Sequence, residues 1–498
     1  MTISHQHSDR RSTFVGQLAI WASPVIGAAI YIWLRPTAEG TAALSASGAA
    51  LTASGAAVVG LLVWMALWWM TQAVDLAVTG LLPIIVLPLL GTSTTEQALA
   101  PYANDVIFLF AGGCVLGLAL ERHGIARRFL MSVIGCIGHA PRRVIAAFLI
   151  VSALISAWVS NTATAAMMLP LASAAIAMYA VSDAPSSESH TAAKSAATNF
   201  QHAILLAVAY GATIGGVMTV LGSPPNPIGA EWINANGGSM DFLRWSSIGV
   251  PTGVLMMICA LVIFRFVFPC HALTLTDDPA PSTERVALTR AGKLTIVIFA
   301  LTVIAWVSAP FVKSVAPSLV MKDGMIAIAA AIVLFILPAV RGRVEPIVPW
   351  ALTQRLPWGV FMLFGGGLSL ADAMQRTGVS KRIAECASGL GGLPEPLVIA
   401  GLSSVLTFAS EIASNTALTA TAVPIVGAMA PGLGVASDKL VIMAALSASL
   451  AFMLPVGTPP NAIVYSTGLL PMRTMMRVGL LLNICAIVVI TIICAWWV

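Results

Sequence analysis

Charge is what this chain has least of. Aspartate, glutamate, lysine and arginine together make up 9% of its 498 residues, against 58% hydrophobic residues and a mean hydropathy of +0.93. A soluble domain carries about 25% charged residues, so a water-soluble fold is excluded and an integral membrane protein is expected. Seven cysteines occur without a C-x-x-C pair and mostly in apolar surroundings, where they read as small buried hydrophobes rather than metal or disulfide partners. Neither H-E-x-x-H nor G-x-S-x-G occurs, and His, Asp and Glu do not cluster, which speaks against an enzyme and against an organic cofactor. The glycine runs at 112–113 and 365–367 lack the strand and the G-x-G-x-x-G spacing of a phosphate loop, so close helix packing accounts for them. Barrel-type alternation is missing as well. Lipid admits only helices or closed barrels, so the fold class is an all-α polytopic membrane protein.

What the chain does have is long apolar runs, at 14–34, 58–70, 250–268, 294–312, 325–340 and 478–498. With about 20 apolar residues per crossing, there is room for roughly ten spans plus partial ones. The first run exceeds the apolar core of a secretory signal and reads as a retained anchor. Arg10, Arg11, Arg122, Arg127, Arg128, Arg142, Arg143, Arg341, Arg343, Arg473 and Arg477 flank spans, which places them and the N-terminus on the cytoplasmic side of the plasma (inner) membrane. Trp496 and Trp497 then lie at the outer interface. The stretch from Glu121 to Arg143 reads as an amphipathic helix on the membrane surface, with arginines reaching toward headgroups. "LSASGAA" at 44–50, repeated as "LTASGAA" at 51–57, reads as an interhelical loop entering a small-residue helix face.

The chain is also written twice. "FLFAGGCVLGLALERHG" at 108–124 is echoed by "MLFGGGLSLADAMQRTG" at 362–378, and Gly113/Gly367, Gly124/Gly378, Ser160/Ser414 and Pro170/Pro424 share one offset of 254. Further on, "LGSPPNPIG" matches "PVGTPPNAIV" at an offset of 235. The difference of 19 residues corresponds to the polar segment 181–199 of the first copy, read as an inserted loop. The distribution of basic residues makes the copies inverted relative to one another, an arrangement that puts a substrate site at the midplane between them.

Each copy carries "SNT", at 160–162 and 414–416, ahead of a good helix former. Ser and Asn favour helix N-caps, and a helix starting there aims unpaired N–H groups at whatever lies in front, which attracts an anion. Each copy also carries [ST]-P-P-N after a glycine. Consecutive prolines break a membrane helix near Gly222-Ser223 and Gly457-Thr458 and free carbonyl oxygens suited to sodium. Ser156 and Ser410 stand one helical turn before each tip and add a hydroxyl. Glu411 beside the second tip is a candidate proton relay, but its first-copy counterpart is Ala157, so a local structural role is the better reading.

The paired Ser-Asn-Thr and [ST]-P-P-N motifs resemble those of the divalent anion/sodium symporter family, carriers of succinate, citrate and related dicarboxylates, over about residue 64 to the C-terminus. The segment at 68–83 departs from the family pattern, with Gln72 where Glu is common and Asp75 where Pro is common. The resemblance implies eleven transmembrane helices, two re-entrant hairpins, a homodimer, and an elevator-type motion of a transport domain against a scaffold. It also implies one sodium site at Ser156, Ser160, Asn161 and the Gly222 carbonyl, and another at Ser410, the Ala413 carbonyl, Asn415 and the Gly457 carbonyl. Substrate carboxylates are implied at Asn161, Thr162, Ser223, Asn415, Thr416 and Thr458. The expected partners are a dicarboxylate or citrate-like anion, co-transported sodium and the lipid bilayer, with no nucleic acid.

The expected organisation is an N-terminal tail, first helix and loop over 1–57, then a first repeat over 58–268 with its hairpin near 142–180 and its break near 222–226. A polar linker at 269–292 leads to a second repeat over 293–498 with its hairpin near 396–430 and its break near 457–461. The functional expectation is sodium-coupled import of a C4-dicarboxylate. A sodium-independent exchanger of the same fold and an anion channel are the alternatives.

Overall fold

The computed structural model describes residues 14–35, 51–179, 188–270, 288–316, 318 and 321–498. Among them the regular elements are helices, apart from one isolated antiparallel bridge between Pro338 and Pro346. The chain opens with α1 (Phe14–Leu34), α2 (Ala53–Thr71), α3 (Leu76–Thr79), α4 (Leu82–Leu89) and α5 (Thr95–Leu99). The stretch whose motifs recur later runs through α6 (Asp105–Arg122), α7 (Ile125–Ile137), α8 (Pro141–Ser156), α9 (Asn161–Met178), α10 (Glu188–Gly216), α11 (Pro225–Ala235) and α12 (Phe242–Val267). Two helices, α13 (Arg290–Val315) and α14 (Asp323–Ile336), precede the second copy. That copy comprises α15 (Trp358–Arg376), α16 (Val379–Ala387), α17 (Glu395–Ser410), α18 (Asn415–Leu433), α19 (Ser437–Ser449), α20 (Pro459–Tyr465) and α21 (Met472–Trp496).

The offsets seen in the sequence reappear as matching elements. Helices α8 and α17 both begin 254 positions apart, and so do α9 and α18. Helix α8 opens on Pro141, and α17 has Pro394 at its N-cap and Pro396 in its first turn, where proline's fixed φ and missing N–H are tolerated. At 16 residues each, α8 and α17 are roughly 24 Å long by helical rise, short of a hydrocarbon core of about 30 Å. Each is followed directly by one of the Ser-Asn-Thr tips.

Eight helices among the described residues are long and apolar enough to cross a bilayer, or nine if the pair Val379–Leu390 and Glu395–Ser410, bent by 115°, is one span. The eleven transmembrane helices implied by the resemblance are not reached by length and composition alone. Short helices escape a test of length: α19 has 13 residues and α20 only seven.

The 19-residue insertion is not simply a loop. Residues 180–187 lie outside the described residues, but helix already begins at Glu188, so α10 is 29 residues long where its counterpart α19 has 13. The Ala-rich run "TAAKSAAT" has the propensity to extend a helix, which the polar composition alone had suggested was loop. The small duplication at 44–50, the tail at 1–13 and most of the linker, 271–287, lie outside the described residues.

The two repeats interlock. Within each copy the first hairpin helix packs on the broken helix, α8 on α10 and α17 on α19. Between copies, each tip helix packs on the far half-helix of the other, α9 on α20 and α18 on α11, while α11 packs on α19 and α20 on α10. At Gly215 a side chain would overlap the Ala153 backbone of α8, so glycine is what lets these helices touch. The Tyr210 hydroxyl on α10 crosses to the second copy and donates to the Phe452 carbonyl at 3.0 Å, with the Met475 carbonyl at 3.3 Å. Large apolar side chains such as Trp21, Phe266, Leu301 and Val315 are left exposed around this core, as a lipid-facing surface requires.

Candidate functional site

Both Ser-Asn-Thr segments are helix starts. Ser160 is the N-cap of α9, its hydroxyl accepting from the Ala163 N–H at 3.3 Å. Ser414 is the N-cap of α18 without a side-chain cap of its own. The Asn161 amide nitrogen, oriented by its neighbours, donates to Ser156 Oγ at 2.7 Å, the Gly222 carbonyl at 3.1 Å and the Ala212 carbonyl at 3.2 Å. One carboxamide thus ties the first hairpin to the first break. In the second copy Asn415 Oδ1 is buried with no hydrogen-bond partner among the described residues, and the Ser410 hydroxyl donates to the Thr407 carbonyl at 2.7 Å. A buried orphaned oxygen is costly unless something fills it, and a cation or a donor group is what its chemistry accepts.

The breaks span residues 217–224 and 450–458, longer than the proline motifs themselves. Prolines 225 and 459 restart the helices at their first turns, and the Thr458 hydroxyl caps α20 by accepting from the Asn461 N–H at 3.4 Å. The asparagine that closes each P-P-N motif staples its break. Asn226 Nδ2 donates to the carbonyls of Gly216 and Thr219, both at 2.7 Å. Asn461 Nδ2 donates to the carbonyls of Ala451 at 3.4 Å and Leu454 at 3.1 Å. Those acceptors sit at the same 235-residue offset as the donors, so the staple is part of the repeat. Sequence reasoning quoted these asparagines without giving them a task. The signal that identifies them is the apolar setting, since an amide placed after two prolines in a membrane helix must find acceptors.

The position after Ser156 and Ser410 joins tip to break in both copies by different chemistry. In the first, the Thr219 hydroxyl donates to the Ala157 carbonyl at 2.5 Å. In the second, the buried Glu411 carboxylate accepts from the N–H groups of Phe452, Met453 and Leu454 at 2.8, 2.9 and 2.9 Å and from Asn483 Nδ2 at 2.7 Å. Glu411 therefore caps an unwound backbone, the structural role expected of it.

These parts surround one cavity of about 700 Å³, within the range of small-molecule sites. Ser160, Asn161, Thr162, Gly222 and Ser223 line it from the first copy, and Ser414, Asn415, Thr416, Gly457 and Thr458 from the second. Three of the residues implicated by sequence do not reach it. Ser156, Ser410 and Ala413 are buried behind the tips. The facing wall comes from α2, α6 and the turn before α15, including Gln72, Glu121 and Arg355. Gln72 is the left-handed C-cap of α2 at φ 50°, and Asp75 caps α3, accepting from the Ala77 N–H at 2.9 Å. At the end of α6, Arg122 pairs with Glu345 at 2.6 Å and Arg355 with Glu121 at 2.6 Å, while His123 Nε2 lies 3.3 Å from the Ile347 carbonyl. Burial pushes the His123 imidazole below its ordinary range, against the opposing pull of the Ile347 carbonyl and with help from the Arg122 charge.

Gly222 leaves no room for a side chain in the first break. A Cβ there would stand 2.6 Å from the Gly216 carbonyl oxygen and 2.8 Å from that of Ser156. Gly222→Ala is expected to cost about 1–3 kcal/mol as an overpacking change and to lower the melting temperature in detergent. Gly401→Ala, where nothing lies within 4 Å, is expected to leave it unchanged or raised. Equal losses in both would contradict the tight packing assigned to the break.

Comparison with known proteins now adds relatives. The family described as "Sodium:sulfate symporter transmembrane region" matches residues 31–498. The sodium-dependent dicarboxylate transporter SdcS of Staphylococcus saprophyticus is 32% identical over 445 residues, covering 88% of this chain and 85% of the relative. The sodium-dependent dicarboxylate transporter SdcS of Staphylococcus aureus (strain NCTC 8325) is 33% identical over 445 residues, covering 88% and 84%. Among solved structures, the Alcanivorax borkumensis YdaH transporter aligns with a TM-score of 0.55 at 15% identity, over 89% of this chain and 98% of that one, a likeness of fold alone.

Proposed function

The chain belongs to the sodium:sulfate symporter family, and on that premise we propose that it is a secondary active transporter importing a C4-dicarboxylate such as succinate together with sodium. The observation that carries this reading is the convergence of two helix starts and two broken helices on one cavity. The N-termini of α9 and α18 each offer unpaired N–H groups and a partial positive charge of about half a unit, suited to a carboxylate apiece. Asn161, Thr162, Ser223, Asn415, Thr416 and Thr458 are the proposed substrate contacts.

Sodium is carried as a second substrate. The proposed sites are Ser156, Ser160, Asn161 and the Gly222 carbonyl in one copy, and Ser410, the Ala413 carbonyl, Asn415 and the Gly457 carbonyl in the other. Oxygen donors of this kind suit a hard cation. Cations held beside the tips offset the charge of a dianion that no side chain at the tips neutralises, so each ligand raises the affinity of the other. In the first site Asn161 has to turn its oxygen, in place of its amide nitrogen, toward Ser156 and Gly222, and in the second Ser410 and Asn415 have to turn toward a shared point; the orphaned Asn415 oxygen supports the second assignment.

The multi-pass chain is placed in the plasma membrane with its N-terminus in the cytoplasm, its two repeats over 58–268 and 293–498 inverted, and a homodimer as the working unit. Transport is an elevator motion of the tips and broken helices against the remaining helices, with no covalent chemistry at the site. The test is uptake of radiolabelled succinate into proteoliposomes on an inward sodium gradient. Replacement of sodium by potassium or choline is expected to reduce uptake at least tenfold. Uptake that survives the replacement and requires internal dicarboxylate would overturn this reading in favour of exchange.

A further inference from the structure

Among the described residues lining the cavity, Glu121 and Arg355 are the only charged ones. They come from the wall opposite the tips, Glu121 from the last turn of α6 and Arg355 from the end of the 3-10 turn Trp350–Arg355. Their ion pair uses one guanidinium nitrogen and one carboxylate oxygen, 2.6 Å apart, on side chains that are 54% and 22% exposed.

Exposed pairs of this sort contribute little, about 0–1 kcal/mol, so Glu121 holds Arg355 only loosely. The backbone around Arg355 is by contrast fixed. Trp358 Nε1 donates to the Thr353 carbonyl at 2.9 Å, the Leu356 N–H to the same carbonyl at 3.0 Å, and the Ile347 N–H to the Leu337 carbonyl at 2.9 Å. The guanidinium presents five donors in a planar fork that matches a carboxylate, and one of them is engaged here. A fixed backbone, a weak internal partner and spare donors facing the same cavity are the attributes of an anion-capture group rather than a structural strut.

We propose that Arg355 is a substrate-selecting residue of the cavity, taking a carboxylate of the incoming dianion in exchange for Glu121. This rests on the reading of the cavity as a dicarboxylate site. It assigns Glu121 the role of an internal competitor, which keeps Arg355 occupied by a weak ligand until a stronger one arrives. It also places the one fixed positive charge away from the tips, where cations do the neutralising.

The two halves of the pair therefore have opposite effects. Calorimetric titration of the purified protein with succinate in saturating sodium is expected to give a Kd raised about tenfold in Arg355→Gln and lowered about threefold in Glu121→Gln, with the double variant matching Arg355→Gln. The sodium midpoint of stabilisation is expected to stay at its wild-type value in all three, a readout that general damage to the fold would move. Parallel loss of affinity in both single variants would make the pair structural and overturn the proposal, as would unchanged affinity in both. If Arg355→Gln does not fold, Glu121→Gln alone decides, since only a competitor's removal tightens binding. Wild-type protein that binds no succinate in sodium would sink the dicarboxylate reading and this inference together, whereas wild-type binding with no response to Glu121→Gln would sink the inference alone.

Discussion

Asn161→Ala and Asn415→Ala are each expected to abolish the stabilisation that sodium confers on the purified protein. Asn161 stands within hydrogen-bond reach of Ser156, Gly222 and Ala212 at once, linking the hairpin tip, the first break and α10. Removing its side chain leaves those oxygens without their common neighbour. Asn415 contributes a buried oxygen with no internal partner, available to a ligand in the second copy. A ligand that binds only the folded state at 100 times its Kd stabilises by about 2.7 kcal/mol, and this increment should vanish in either variant. The baseline melting temperature in choline separates loss of binding from loss of fold. A wild-type sodium shift retained in both variants would remove these residues from the cation sites.

Glu411→Ala is expected to produce the largest loss of stability of any single substitution at the site. Three consecutive backbone N–H groups and the Asn483 amide end on this one carboxylate. Each buried donor left without an acceptor costs about 1–3 kcal/mol, and the segment affected is the break that presents Gly457 and Thr458 to the cavity. Glu411→Gln keeps one acceptor oxygen and should fall between wild type and alanine. Thermal unfolding in detergent measures both, with retention of the wild-type melting temperature by Glu411→Ala being the contrary result. The first copy needs no acid at this position because its break turns a hydroxyl, Thr219, toward the backbone of residue 157.

Much of this architecture was legible in the sequence because its signals are local. An N-cap serine, a proline pair and a constant offset of 254 are read within a few residues, and they place the tips, the breaks and the pairing of elements such as α8 with α17. The cap that Glu411 provides was not legible, since its backbone partners lie some forty residues away in an unwound stretch with no periodicity of its own, and Asn483 lies further still. The Arg355–Glu121 pair is further separated, and nothing in the repeated stretch 108–124 that contains Glu121 points to Arg355. The helical extension of α10 was misread as loop because polar composition and helix propensity point in different directions over 188–199. The staples by Asn226 and Asn461 sat inside a quoted motif, and only the three-dimensional distances to residues 216, 219, 451 and 454 gave them a task.

The account stands on the claim that tips and breaks form a single pocket in which cations and a dianion bind as one unit. Calorimetric titration of succinate into the wild-type protein across a range of sodium concentrations, with choline holding ionic strength constant, tests it most directly. A Kd that falls steeply as sodium rises, with a reciprocal gain in sodium affinity when succinate is present, is the predicted result. A succinate Kd that is the same in sodium and in choline would contradict it.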